Sequence, residues 1–495
     1  MNLGNFESLG HFVPELILAA GLLVIVIADL AMRNKSHLAD LALIITAVAL
    51  VAIGLGPPTT GAWLFHHMLV FDSFAIYFRV LIALAAVVAV WMSIGSEEVK
   101  NCDQGEYYAI LIASTFAMFL MAESANLLMA YLALEFVSLT SYILTGFLRH
   151  NRRSLEAALK YLIYGGVASG TMIYGMSWIF GVTGTLDFAE INRALSAPGH
   201  LPVLAVFIAL VLILTGMGYK VASVPFHMWA PDVYTGAPIP ITTFLAIGSK
   251  AAGFALLTRF FFPAISQLAA GGSWTALEGV DWPQLLLFVC VITMTLGNLA
   301  ALQQTNMKRL LAYSSIAQAG YALMGFVVLS NDGIQAMLFY LFAYYVMDAG
   351  AFLVVMIVAN STGREDIEAY RGLAWRGGIV PAVALTIFLF SLTGIPLTVG
   401  FIGKFYLFAA VIKGRFYLLA MVGIFNSVVS LYYYLKPVRT MFLDQPKGDE
   451  VAVRFEAWNY GLMGVLACAT ILFGVYWAPI ISFASRSIGF FTGQS

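Results

Sequence analysis

The feature that most constrains this chain is a succession of about 14 apolar stretches, each close to the roughly 20 residues that a helix needs to cross bilayer hydrocarbon. They run near 12–32, 38–56, 72–95, 106–122, 126–148, 154–182, 202–229, 238–265, 283–303, 308–330, 334–360, 379–412, 415–443 and 457–481, bounded by Pro, Gly or charge. The loops between them are short and leave no room for a separate soluble domain. Composition agrees: of 495 residues 61% are hydrophobic and 10% charged, with mean hydropathy +0.89, where soluble domains carry about 25% charged residues. The expected fold is all-α and polytopic, one membrane domain over 1–495.

Charge placement orients it. The residues before the first stretch carry Glu7 and no Lys or Arg, unlike the basic start of a secretory leader, so no cleavable signal is expected. Arg33 and Lys35 follow that stretch, and the positive-inside rule then puts the N-terminus outside. Carried along the chain, this assigns Arg33, Lys35, Lys100, Arg149, Arg152, Arg153, Lys308, Arg309, Arg364, Arg371, Arg376, Lys436, Arg439, Lys447 and Arg454 to inside loops, fifteen of the 25 basic residues. Outside segments receive only Arg193, Arg259, Lys413, Arg415 and Arg486. An even number of crossings returns the C-terminus to the outer side.

The remaining basic residues, Arg79, Lys160, Lys220, Lys250 and Lys404, fall inside apolar stretches. An ionisable group at the centre of a membrane helix costs from ~2.5 kcal/mol upward, and such groups face a bundle interior or a water-filled path. Arg79 and Lys160 lie about two turns in, where snorkelling or a structural ion pair is the alternative reading. Lys220, Lys250 and Lys404 lie deeper; a static salt bridge between helices is the alternative for them. Acidic counterparts are few: Glu135 near the middle of the fifth stretch, Asp348 inside the eleventh beside Tyr344 and Tyr345, and Glu15, Asp29 and Glu123 near helix ends, where solvation is easier.

Prolines interrupt two of these helices. Pro225 follows Lys220 and strands the carbonyl of Val221, and Pro396 does the same to Leu392 ahead of Lys404, because proline has no N–H to close the turn. Irregular backbone at membrane depth survives only where protein buries it or a hydrated cavity lines it. A simple proline kink would leave no reason for a lysine beside each. The breaks lie in the seventh and twelfth stretches, each after "LTG" (Leu214 to Gly216, Leu392 to Gly394). A five-helix unit repeated in tandem must run upside down the second time, an arrangement common in transporters. The expected organisation is helices 1–3 in 1–100, a first repeat (helices 4–8) in 106–265, a second (helices 9–13) in 282–443, and helix 14 in 456–495.

Other chemistries find no support. Cys102, Cys290 and Cys468 are far apart and show no metal or haem spacing, so no metal or cofactor is expected in this chain. No Rossmann or P-loop glycine pattern appears, and no basic stripe suggests nucleic acid. His227 follows the first break, and since histidine exchanges protons near neutrality it is a candidate proton carrier.

Several segments resemble the antiporter-like membrane subunits of respiratory complex I and of the multisubunit cation/proton antiporters. They are "LEFVSLTSYILTGF" around Glu135, "AALKYLIYGG" around Lys160, "VPFHMWAPDVYTGAP" after Lys220, "GSKAAGF" around Lys250, "KRLLAYSSIAQAGY" from Lys308 and "TGIPLTVGFIGKF" ending at Lys404. The likeness covers essentially the whole chain. One complex I branch of that family carries Glu where Lys404 stands, and another is longer by a lateral amphipathic helix, so the resemblance points to the remaining branch.

What the resemblance implies is a fold of 14 helices with two inverted five-helix repeats and work as one proton-translocating unit of a translocase, an NADH:quinone oxidoreductase, in a bacterial inner membrane. A subunit of a cation/proton antiporter is the alternative. It further implies that Glu135 and Lys220 form a modulating pair, that Lys250 relays and that Lys404 serves a second half-channel; Lys160, His227 and Asp348 are expected on a secondary path. Flavin, iron–sulfur clusters and quinone would lie in partner subunits, among other membrane-arm subunits and lipid. Elementary electrostatics permits such a device: unit charges interact by ~4 kcal/mol at 4 Å and ~2 kcal/mol at 8 Å in an effective dielectric of 20. Moving a proton against 100 mV costs ~2.3 kcal/mol.

Overall fold

A computed structural model describes residues 3–56, 61–100, 102–197, 202–269, 273–446 and 457–489. Among them are 12 helices long and apolar enough to cross a membrane, from Val13–Ala31 to Trp458–Val475. Two short antiparallel ribbons, Ala62–Leu64 with Leu69–Phe71 and Ser266–Leu268 with Trp274–Ala276, lie in the connections, and no closed sheet forms among the described residues.

Small polar residues at the loop edges start the helices. Side-chain oxygens of Asp72, Asn126, Asn306 and Ser330 accept from Ala75, Leu128, Arg309 and Gly333 N–H at 2.7, 2.9, 3.0 and 3.0 Å, satisfying donors that a helix N-terminus otherwise leaves open. The two 32-residue helices, Arg152–Thr183 and Asn331–Thr362, both end on glycine in the left-handed region, Gly184 at φ 71° and Gly363 at φ 66°, where a Cβ would clash. Between helices, short backbone bridges pair Asn126 with Asp187 and Asn306 with Asp366.

Three helices, Ile239–Ile265, Met307–Val327 and Asn331–Thr362, are wrapped by the others and buried on nearly every side. A helix apolar all round belongs in such a position, and these three carry Lys250, Gln318, Tyr344 and Asp348 among the inner polar residues. The first of them widens into one π turn, Leu245–Ser249, directly before Lys250, a local irregularity frequent at functional sites.

Both expected interruptions occur. One helix runs Val203–Val221 and resumes at Trp229–Gly236; the other runs Ile379–Thr393 and resumes at Val399–Lys413. Two charge assignments need correction. Arg259 is not in an outside loop but inside the helix Ile239–Ile265, 2% exposed, forked on Asp72 at 2.5 and 2.6 Å. Lys308, expected in an inside loop, is 1% exposed in the first turn of its helix and paired with Glu365 at 2.9 Å. In both cases the acid that permits burial lies far away in sequence. Lys447 and Arg454 lie outside the described residues.

Candidate functional site

Lys220, Lys250 and Lys404 are 2%, 3% and 3% exposed, so none points into lipid. Their surroundings set them apart from the other buried cations. Arg79, Arg259 and Lys308 each have a carboxylate oxygen at 2.5, 2.5 and 2.9 Å. Among the described residues none of the three lysines has one within 4.0 Å. A buried charge without a counter-ion is expensive, and an amine held only by neutral groups can exist with or without its proton.

Lys220 occupies the last turn of Val203–Val221, which closes at Ala222 in the left-handed region at φ 58°. Its Nζ donates a long 3.4 Å hydrogen bond to Ser138 Oγ. Ser138 stands one turn beyond Glu135 on the helix Leu127–Thr145, so Glu135 and the hydroxyl that Lys220 reaches share one face of that helix. Glu135 is half-buried and its Oε1 is buried without a hydrogen-bond partner. Behind Lys220 lies Gly253, where a Cβ would come within 3.4 Å of Lys220 Cγ and 2.8 Å of Val221 Cγ1. Glycine there lets the lysine rest on the helix that carries Lys250, one turn away.

Lys250 is the most firmly held. Its Nζ donates to the Ser315 carbonyl at 2.6 Å and hydroxyl at 2.5 Å. The Tyr344 hydroxyl lies 2.8 Å from Ser315 Oγ and 3.0 Å from Asp348 Oδ2, and Asp348 Oδ1 is buried without a partner. Asp348 is thus wired to Lys250 through a hydroxyl and a phenol, a tighter link than Glu135 has to Lys220.

From Ser315 polar groups continue along one face of Met307–Val327, spaced at Ser314, Gln318 and Tyr321 as helical neighbours are. Ser314 meets the Tyr434 hydroxyl, Gln318 Nε2 reaches that hydroxyl at 3.2 Å, and Tyr340 donates to Gln318 Oε1. Gln318 Nε2 also donates to the Leu392 carbonyl at 3.1 Å, the acceptor that Pro396 leaves free. Lys404 Nζ takes the next carbonyl, Thr393, at 2.8 Å, with Ser427 Oγ at 3.2 Å and the Tyr321 ring centre at 4.3 Å. Gly394, at φ 95°, lies under this side chain, and a Cβ there would stand 3.0 Å from Lys404 Cδ. A cleft of about 390 Å³ opens on the break, lined by Thr393, Gly394, Pro396, Lys404, Phe405 and Ser427.

The remaining candidates are placed differently. His227 sits in the first break, 7% exposed, with Nδ1 buried and unpartnered. Lys160 is off the line, 39% exposed, with Asp232 and Glu156 both at 2.7 Å; Arg309 shares Asp232. Arg79 pairs with Glu123 and Glu15, as the ion-pair alternative for it requires. Ser138, Ser315, Gln318 and Ser427 were not singled out from the sequence; the signal available was an amide and hydroxyls recurring at helical spacing within apolar helices. Among the described residues no group of three or more His, Cys, Asp or Glu is arranged to hold a metal ion.

Comparison with known proteins adds an independent line. A family model described as "NADH:quinone oxidoreductase/Mrp antiporter, TM" matches residues 124–430. The chain is similar to NADH-quinone oxidoreductase subunit N of Anaeromyxobacter sp. (strain Fw109-5), 44% identical over 99% of this chain and 98% of the relative. It is also similar to a chain of respiratory complex I from Thermus thermophilus with bound aureothin, with TM-score 0.79 and 29% identity over 95% of this chain and 99% of that one. A chain of the Mrp complex from Dietzia sp. DQ12-45-1b shares the fold, with TM-score 0.82 at 19% identity over 98% of both.

Proposed function

Because this chain belongs to the NADH:quinone oxidoreductase/Mrp antiporter transmembrane family, we propose that its line of buried lysines is the proton path of a membrane-arm subunit of NADH:quinone oxidoreductase. The chain works where its full-length relatives named subunit N work, in the membrane arm of respiratory complex I, as part of a proton-translocating enzyme. In this reading flavin, iron–sulfur clusters and quinone sit in partner subunits. Its neighbours are antiporter-like paralogues and small membrane subunits, in a bacterial inner membrane, with both ends of this chain on the periplasmic side.

The roles follow from the surroundings. Glu135 sets the charge that Lys220 sees, and because no contact fixes the two together, a partner can move or screen the carboxylate. Lys220 then passes its proton across Gly253 toward Lys250, which exchanges through Ser315 and Tyr344 with Asp348. The hydroxyls and the Gln318 amide carry the path to the carbonyls of the second break and Lys404, which faces the cleft. His227 and Lys160 belong to a secondary path, Lys160 on the charged surface by Asp232.

The repeat reading is supported from the backbone. Among the described residues, adding Arg152–Thr183 and the interrupted helix over 379–413 to the twelve long helices makes 14 candidate crossings. The bridges Asn126 to Asp187 and Asn306 to Asp366 occupy equivalent places in the two proposed units. Yet the first lies by the ribbon that precedes the helix Ser73–Ile94, through Leu69 and Ser124, while the second lies by the loop that follows it, where Glu97 N–H meets Asn360. Equivalent pieces at opposite ends of one helix are what inverted units, 106–265 and 282–443, require.

The observation that carries the proposal is the division of buried cations into paired ones and three lysines with none. Its test is proton pumping by the reconstituted complex carrying Lys220→Ala or Glu135→Ala, with assembly followed separately. The expected result is a fall of about tenfold in pumping with Lys220→Ala, equivalent to ~1.4 kcal/mol, in a complex that assembles; intact pumping with failed assembly would make these residues scaffold.

A further inference from the structure

A second concentration of buried charge lies apart from the lysine line, where the helices Val13–Ala31 and Ser73–Ile94 begin and Gln104–Glu123 ends. Arg79 stands between two glutamates, its Nε 2.8 Å from Glu15 Oε1 and 2.5 Å from Glu123 Oε1, with all three side chains at most 1% exposed. Beside them Arg259 forks on Asp72, and its Nε–H donates to the Ala122 carbonyl at 3.1 Å, next to Glu123.

The charges do not balance. Asp72 and Arg259 form a complete pair, which leaves two carboxylates on the single guanidinium of Arg79. The outer nitrogens of Arg79 turn to the His11 carbonyl at 3.4 Å. His11 supplies no second cation, because burial and then the neighbouring Arg79 hold its imidazole below its ordinary value. Glu15 Oε2 and Glu123 Oε2 are fully buried and have no hydrogen-bond partner. Two carboxylates on one guanidinium leave a net negative charge in a dry interior, which is costly, and an orphaned buried acceptor calls for a donor.

We propose that Glu15 and Glu123 bind one proton between them, forming a carboxylic acid–carboxylate pair whose O–H closes the gap between the two orphaned oxygens while Arg79 neutralises the remaining charge. The site is distinct from the lysine line and does not rest on the function proposed above. It lies at the end of the bundle where the chain starts, the end predicted to face outward, and it stores a proton there.

Infrared difference spectroscopy on the intact complex tests this, comparing wild type with Glu15→Gln and with Glu123→Gln. The proton-sharing pair predicts that either variant alone removes one protonated-carboxyl C=O band, since the surviving carboxylate then pairs one to one with Arg79. The band should shift in D2O and be indifferent to sodium. Two spectral outcomes overturn the proposal: spectra in which neither variant removes an acid band, or carboxylate bands in wild type that move with sodium, which would make the ligand a metal cation. Glutamine copies the shape and charge of the protonated acid, so failure of both variants to assemble would count equally against it.

Discussion

At the first break the lysine comes before the gap and reaches away from it, to Ser138 on a neighbouring helix; at the second it comes after the gap and reaches back, to the carbonyl of Thr393. Aligning the two "LTG" tripeptides puts Thr398 opposite Lys220 and Phe226 opposite Lys404, so the amines are not copies of one another in the repeat. The freed backbone is treated differently as well. Gln318 and Lys404 take consecutive carbonyls at the second break, whereas at the first the Trp229 indole N–H donates to Tyr219 O at 3.0 Å and Lys220 takes no backbone carbonyl. Lys404 is therefore part of what holds its break together, and Lys220 is left with one long hydrogen bond and an unpartnered glutamate within electrostatic reach. A weakly held amine answers to a moving carboxylate; a firmly held one serves as a fixed station. In the proposed path this difference puts control at the first break and onward transfer at the second.

Gln318 offers the largest handle on that contrast. Gln318→Leu would orphan the Leu392 carbonyl and the Tyr340 hydroxyl, and each buried group left unpaired costs about 1–3 kcal/mol. Thermal unfolding of the purified complex should show the second half weakened, and pumping should fall because the line loses its amide bridge; an unchanged melting curve would mean that this break is not held from Gln318.

Backbone conformation gives the next effect, with opposite sign at the two breaks. Gly394→Ala places a Cβ at φ 95° and 3.0 Å from Lys404 Cδ, and a left-handed residue other than glycine costs roughly 1–2 kcal/mol. Ala222 already bears that strain at φ 58°, so Ala222→Gly should be neutral or stabilising by up to about 1 kcal/mol. Paired denaturation curves would reveal the asymmetry, and equal responses would erase it.

Smaller still is Ser138→Ala. A 3.4 Å bond contributes at the low end of about 0.5–1.5 kcal/mol, so pumping should change by about twofold, less than for Ser315→Ala at Lys250, whose bond is 2.5 Å. Ranking these two variants by turnover and by proton yield checks whether Lys220 is indeed the looser site. The reverse order would place control at Lys250.

Much of this site was legible because its signals are local. A lysine in an apolar run, and a proline a turn or two away from it, announce themselves within ten residues, and Lys220, Pro225, Pro396 and Lys404 were found in that way. Partnerships closed by tertiary packing were not. Arg259 looked like an outside residue because nothing near it names Asp72, and Lys308 looked like a loop lysine because Glu365 arrives from beyond the following helix. The link from Asp348 through Tyr344 and Ser315 to Lys250 joins three helices, and the π turn before Lys250 holds only the single Gly248 as a local mark. Helix edges blurred for a related reason: a single apolar run near 202–229 holds a helix, a gap and the start of another, because hydrophobicity reports depth and not backbone continuity.

The central claim is that the unpaired lysines exchange protons and are not fixed charges. Arginine keeps the charge and cannot be deprotonated in a protein, so the decisive measurement is proton pumping by reconstituted complex carrying Lys220→Arg, normalised to assembled complex. The account predicts that pumping falls as far as it does with Lys220→Ala although assembly is preserved. Pumping at the wild-type level with arginine in place would contradict it, since a permanent cation would then suffice.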